Sequence, residues 1–330
     1  MSALPENRED VLDPGLPIVD AHHHLWRGDF PMPGGPYLLP ELGADLADGH
    51  NVEATVFVES HIDDYDPYGR SGPAHLQPVC DTEYVNSIAE HAEKLGLPTR
   101  VAAGIVSHAD LRLGQAVGEV LDAHVAAAPT RFKGIRQMMA ADLRTFVDER
   151  RLVQPEVRDG LRQIAARGLT FDVWILHFQL PDLIDTVRAV PELTFVLNHL
   201  ATPVGVGPWA GRRDEVWQEW TQNLRMLSRE PNVVVKLGGM NMFFTGFGWA
   251  DGEKLPSSQQ LADATGRYFH HAIDTFGPLR CLFESNAPPD LGAGSYRTLW
   301  NAFKRIAERY SSTERQSLFS ETAIRVYRLR

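Results

Sequence analysis

The chain has 330 residues, 43% hydrophobic and 23% charged, a balance that supplies a large apolar core and excludes intrinsic disorder, collagen and coiled coil. Lys and Arg number 32 against 43 Asp and Glu, so the net charge of -11 argues against a nucleic-acid or anionic-membrane surface. Cys80 and Cys281 lie far apart and form no CxxC pair, which speaks against a disulfide framework or thiolate zinc site and fits a reducing, cytoplasmic compartment.

In chain order, short β-branched or apolar runs fall at 17–24, 52–60, 100–107, 132–137, 169–176, 193–199, 232–237 and 280–285. Amphipathic segments separate most neighbours, at 82–95, 111–127, 155–167, 181–190, 209–229 and 258–276. Two more follow the last run, at 296–310 and 313–329, the second opened by the Ser311/Glu314 spacing of a capping box. Strand and helix alternating eight times predict an α/β protein, a closed (β/α)8 TIM barrel, and no GxGxxG or P-loop follows any strand to favour a doubly wound sheet. No repeat or linker interrupts the pattern, so residues 1–330 read as one domain. No apolar run approaches the roughly 18 residues of a membrane span, and the opening MSALPENRED lacks the order of a secretion signal. The longest irregular stretches, 27–49, 62–81, 201–207 and 238–257, each follow a strand, which in a barrel puts them on the face that carries active sites.

The first run ends Asp20-Ala21-His22-His23-His24, and alternation along a strand puts His22 and His24 on one face with His23 on the other. The fifth and sixth runs each deliver one imidazole, His177 and His199, at their carboxyl ends. Four such side chains at one barrel rim point to a metal site of the kind imidazole prefers, Zn, Fe, Cu or Ni.

Several segments carry a resemblance: DAHHHLW at 20–26, GIRQ at 134–137, HFQLPDL at 177–183, NHLATP at 198–203, VVVKLGG at 233–239, LFESNAPPD at 282–290 and LFSETAIRVYRL at 318–329. With these the chain resembles the amidohydrolase-related barrels, a family of sugar-lactone and pyrone-dicarboxylate lactonases and metal-dependent decarboxylases. The hydrolases of that family typically close strand 8 with an Asp that acts as base on water or as metal ligand. Here the corresponding residue is Asn286, an amide that can lend an oxygen but cannot take a proton near neutral pH. Glu284 shares its face one pleat deeper, suited equally to replacing the base and to a structural role.

Alternation at the exit of the second run puts Glu59 and His61 on one face. Together His22, His24, Glu59, His61, His177, His199 and Asn286 make seven candidate ligands, more than one ion with an open position uses, so two metal ions are expected. One carboxylate against two cations favours bound oxygen anions. In this combination the chain is similar to a small group of the superfamily that hydroxylates unactivated carbon with O2 at a dinuclear iron or iron/manganese centre, including the diterpenoid hydroxylases of platensimycin-type natural-product biosynthesis. The resemblance implies a monooxygenase with two metal ions, iron before manganese or zinc, all seven residues as ligands, and Glu59 and Asn286 as catalytic residues. It also implies a hydrophobic acyl substrate carried as a CoA thioester, and an external electron donor or reductase, since no flavin, haem or nicotinamide motif is present. The alternative is a metal-dependent lactonase in which Glu59 or Glu284 is the base.

The loop after the seventh run carries Met240, Met242, Phe243, Phe244, Phe247 and Trp249 among four glycines. It reads as an apolar wall for a hydrophobic substrate, or equally as a contact between two copies of the chain or a self-packed plug. Arg136, ending the fourth run, is expected to pair with Glu59, Glu284 or a substrate carboxylate.

Overall fold

The computed structural model describes residues 8–27, 35–60, 73–249 and 254–329. Eight strands run in parallel, each hydrogen-bonded to the next in chain order: β1 (Ile18–His23), β2 (Val52–Val58), β3 (Arg100–Ser107), β4 (Phe132–Met138), β5 (Thr170–Trp174), β6 (Thr194–Leu197), β7 (Val233–Leu237) and β8 (Cys281–Phe283). The sheet closes on itself through a bridge between His23 and Ala287, beside Asn286 N to His22 O at 2.9 Å and His24 N to Ala287 O at 2.8 Å. This is the expected (β/α)8 barrel. Around it lie α1 (Leu39–Leu46), α2 (Val79–Lys94), α3 (Val117–Ala127), α4 (Pro155–Ala166), α5 (Leu180–Ala189), α6 (Arg213–Leu227), α7 (Ser258–Phe276) and α8 (Tyr296–Ile306). None of the described helices is long and apolar enough to cross a membrane.

Outward strand residues such as Ile18, Phe57, Ile105, Phe171, Phe195 and Phe283 pack against the helices in one large cluster. The inward set is smaller: Val19, Ala21, Val56, Val106, Val196, Val234 and Leu282 meet Val326, Tyr327 and Leu329 of the C-terminal segment. The expected helix at 313–329 is in fact α9 (Ser312–Gln316), a π turn (Ser317–Glu321) and α10 (Thr322–Tyr327), a break that lets Tyr327 join the barrel's interior cluster. Helix α1 occupies part of the stretch expected to be irregular; Glu41 accepts the Leu38 amide at 2.9 Å, which caps its first turn. Strands β6 and β8 are shorter than expected, because the polar residues at their exits turn out of the ladder to build the site, and β5 ends at Trp174, before Ile175 and Leu176.

Strict alternation fails in β1. Its register against β2 shifts between Asp20 and His23, one extra residue that makes a bulge. Asp20 reaches outward to the Tyr296 hydroxyl on α8 (3.0 Å), Ala21 packs inside, and beyond the bulge His22 and His24 both point to the barrel mouth. Desolvation in that position pushes the Asp20 carboxyl up to about 6.

Candidate active site

His22 and His24 bring their Nε2 atoms within 3.3 Å of each other. His24 Nδ1 donates to Val58 O at 2.7 Å, and since a carbonyl can only accept, the His24 Nε2 lone pair is free. His22 Nδ1 lies 3.2 Å from Lys236 Nζ and 2.9 Å from Glu284 Oε2. Burial, reinforced by Lys236 and the neighbouring imidazoles, holds His22 well below the ordinary histidine range, and burial with Arg136 does the same for His24. Both rings are therefore neutral at pH 7. His23 turns away, bonded to Thr55 Oγ1 at 2.9 Å.

His199 enters from the exit of β6 on an unusual backbone. His199, Leu200, Ala201 and Thr202 have φ of 53, 54, 55 and 37°, four left-handed residues in a row with no glycine among them. Such a conformation costs about 1–2 kcal/mol per residue, so tertiary bonds must hold it: Trp220 Nε1 donates to Leu200 O at 2.7 Å and Trp174 Nε1 to Thr202 Oγ1 at 2.8 Å. Glu284 Oε1 accepts both His199 N (3.2 Å) and His199 Nδ1 (2.6 Å). Gly238 and Gly239 make room for this contact, since a Cβ on either would overlap Glu284 or His199. Among the described residues, donor atoms of His22, His199 and Glu284 lie within 4.8 Å of one another.

Beneath the cluster sits a fully buried ionic layer. Lys236 Nζ is 2.7 Å from Asp172 Oδ2 and 3.9 Å from Glu284 Oε2, while Tyr327 OH donates to Asp172 at 2.9 Å and Asn198 Nδ2 at 3.0 Å. Lys236 shares the pairing expected of Arg136, with Glu59, Glu284 or a substrate carboxylate, whereas Asp172 is unforeseen; a charge in an otherwise apolar strand, as in VVVKL and TFDVW, is the signal that marks both.

Glu59 pairs with Arg136, whose Nε donates to Glu59 Oε1 at 2.8 Å and whose Nη2 bonds Glu59 O. It is not in the group that converges with His22, and His61 lies outside the described residues. His177 stands apart as well: its Nδ1 accepts the Val204 amide at 3.3 Å, its ring meets Phe178 and Trp209 edge-on, and its buried Nε2 has no hydrogen bond, the Glu219 carboxylate being 4.0 Å away. Asn286 stands at the exit of β8, buried, with φ of 47°. Trp174, unforeseen, lines the cluster with its ring 6.0 Å from that of His199.

The loop after β7 divides. Met242 and Phe244 join Trp174, Leu176, Val204, Phe146 and Trp209 in an apolar group beside His199 and His177. Met240 faces Leu261 and Phe269 of α7, Trp249 packs on Leu261 and Ala302, Phe247 lies under Arg213, and Phe243 is 78% exposed.

Comparison with known proteins extends these observations. A family model described as amidohydrolase matches residues 19–329. The L-fucono-1,5-lactonase of Burkholderia multivorans is 29% identical over 327 residues, covering 94% of this chain and 96% of the relative. Protein y4mH of Sinorhizobium fredii is 29% identical over 95% of this chain and 99% of its own length. A crystal structure of an amidohydrolase from Burkholderia multivorans with bound zinc superposes with a TM-score of 0.73 at 26% identity, over 95% of this chain and 99% of the other. The lactonase and the zinc-bound amidohydrolase correct the expectation of an O2-dependent diiron monooxygenase: both are hydrolases, and the ion in the solved relative is zinc rather than iron. The CoA-linked acyl substrate and the external reductase rested on that resemblance alone and fall with it. That resemblance weighed Asn286 and the Glu59/His61 pair above the remaining match; the bond from Arg136 to Glu59 is one of the pairings expected for Arg136.

Proposed function

Because the chain belongs to the amidohydrolase family, we propose that it is a metal-assisted hydrolase that opens small lactones by attack of water on the ester carbonyl. The observation that carries the reading is the convergence of His22, His24, His199 and Glu284 at the exits of β1, β6 and β8, where (β/α)8 barrels do their chemistry.

The donor set suits a divalent cation such as zinc. With its proton on Nε2, His22 accepts from Lys236 and donates to His24; with its proton on Nδ1, it faces Glu284 Oε2 and leaves two Nε2 lone pairs 3.3 Å apart, an arrangement that needs a shared cation. Glu284 Oε2, buried 2.9 Å from His22 Nδ1, is the acceptor for that proton in the second arrangement. His22, His24 and His199 would hold the ion, which supplies Lewis acidity to the lactone carbonyl.

The chain's own groups do the rest. Glu284 Oε1 fixes the tautomer and direction of His199, a carboxylate–histidine arrangement that orients ligands. Its Oε2 takes a proton from the attacking water and returns it to the ring oxygen as the C–O bond breaks, giving a hydroxy acid. Arg136, held by Glu59 beside His24, supplies fixed positive charge where the carbonyl oxygen gains negative charge. Trp174, Met242, Phe244 and Trp209 offer few hydrogen-bonding groups, which favours lactones with apolar rather than polyhydroxylated substituents.

Acid release measured over aliphatic δ-lactones, dihydrocoumarin and sugar 1,5-lactones tests both parts. Turnover that prefers the apolar lactones, stops on chelation and returns with Zn2+ is expected. Preference for sugar lactones would overturn the substituent class; no acid release from any of them would sink the lactonase reading.

A further inference from the structure

The β8 exit residue is an amide whose direction is set from behind. Asn286 N is bonded to His22 O at 2.9 Å, and Asp290 N to Asn286 O at 3.1 Å, so the backbone of the turn is tied at both ends. Asn286 Nδ2 lies 3.3 Å from Asp290 Oδ1. The Asp290 carboxyl is buried (1% exposed), and burial together with the nearby Glu284 pushes it well above the ordinary carboxylate range. With Asn286 Nδ2 as donor and Asp290 Oδ1 as acceptor, the Asn286 NH2 turns toward Asp290 and its Oδ1 the opposite way. Behind Asp290 is a small cavity lined chiefly by Met240, Leu261, Phe269, Leu299 and Phe303, with no second charge among its lining residues.

We propose that Asp290 is the positioning residue for the β8 amide, holding Asn286 so that its carboxamide oxygen faces the His22, His24 and His199 cluster and accepts a hydrogen bond from the attacking water. The inference deepens the lactonase reading and rests on it only for the identity of that water.

The test uses the full chain as wild type, N286D, D290N and the exchange N286D/D290N. N286D is expected to lower the thermal midpoint by about 3 °C or more, and the exchange to restore most of it by rebuilding the N–H···O bond with reversed polarity. On the lactone that wild type turns over best, D290N should keep KM while kcat falls on the order of 10- to 100-fold, and the exchange should recover kcat above that of D290N. Additive thermal losses in the double variant overturn the pair. A restored midpoint with wild-type kcat in D290N makes Asp290 a structural tie and overturns the positioning role. If wild type hydrolyses no lactone, the reading under Proposed function fails, and the pair is decided by 15N-detected exchange of the Asn286 side-chain amide. Slow exchange in wild type that becomes fast in D290N supports it, and equal exchange in both overturns it.

Discussion

Glu284 joins two imidazoles: Oε1 takes both N–H groups of His199 at 2.6 and 3.2 Å, and Oε2 lies 2.9 Å from His22 Nδ1. Glu284→Gln keeps the shape, removes the proton acceptor and sets an NH2 against an imidazole N–H. We expect kcat on lactone to fall by on the order of 10²- to 10⁴-fold, and Zn2+ affinity, read by chelator competition, by about 10- to 100-fold; wild-type kcat in this variant would remove Glu284 from the chemistry. Gly239, at φ of 71°, faces His199 so closely that any Cβ overlaps it. Gly239→Ala should cost about 2–4 kcal/mol in urea unfolding, and an unchanged midpoint would show that the turn gives way. At this scale the chain is partly legible. The pleat reveals His22 and His24, and charges in apolar strands mark Glu284, Lys236 and Asp172. The left-handed turn at His199–Thr202 is not legible, because Leu, Ala and Thr do not favour positive φ and bonds from distant Trp174, Trp220 and Glu284 hold it there.

The loops after β6 and β7 act as one element. Gly205 N donates to Phe244 O at 2.8 Å, and a Cβ at Gly205 or Gly246 would strike the backbone of the other loop. That close approach seats Met242 and Phe244 beside Trp174, so the apolar wall stands on a backbone contact rather than on side-chain packing alone. Gly205→Ala should push the loops apart and raise KM for apolar lactones about tenfold, with kcat moved much less; unchanged KM would place the wall outside the binding site. The composition of 238–257 makes the loop's apolar character legible. It does not say that Met240 and Trp249 turn toward α7, because loop residues obey no fixed period.

The barrel as a whole buries imidazoles in their neutral form. Burial pushes His23, His50, His124 and His177 down to about 4, and holds His22 and His24 well below their ordinary value of 6.5. Each such ring binds fewer protons folded than unfolded, so its contribution is present above pH 6.5 and is lost as pH falls toward 4, at about 1.4 kcal/mol per unit. Asp20 works in the opposite sense, its contribution fading as pH rises through about 6, but it is one group against several. Thermal midpoints should therefore fall between pH 7.5 and 5, and added Zn2+ should raise the midpoint at both, because His22 and His24 keep their nitrogens unprotonated in the folded barrel. Scanning calorimetry at the two pH values with and without Zn2+ checks both; a flat profile would contradict the neutral-imidazole account.

Sequence alone determined the eightfold alternation and the imidazoles at the strand exits, because pleat and helical period are local properties written every two to four residues. Pairings between distant segments were decided only by tertiary structure: Glu59 with Arg136 across 77 residues, His22 with Lys236 across 214, and Ser285 with Asp20 across 265. A carboxylate's partner depends on which strand lies beside it when the barrel closes. The same Glu59 that strand alternation puts among the candidate metal ligands pairs, in the closed barrel, with an arginine.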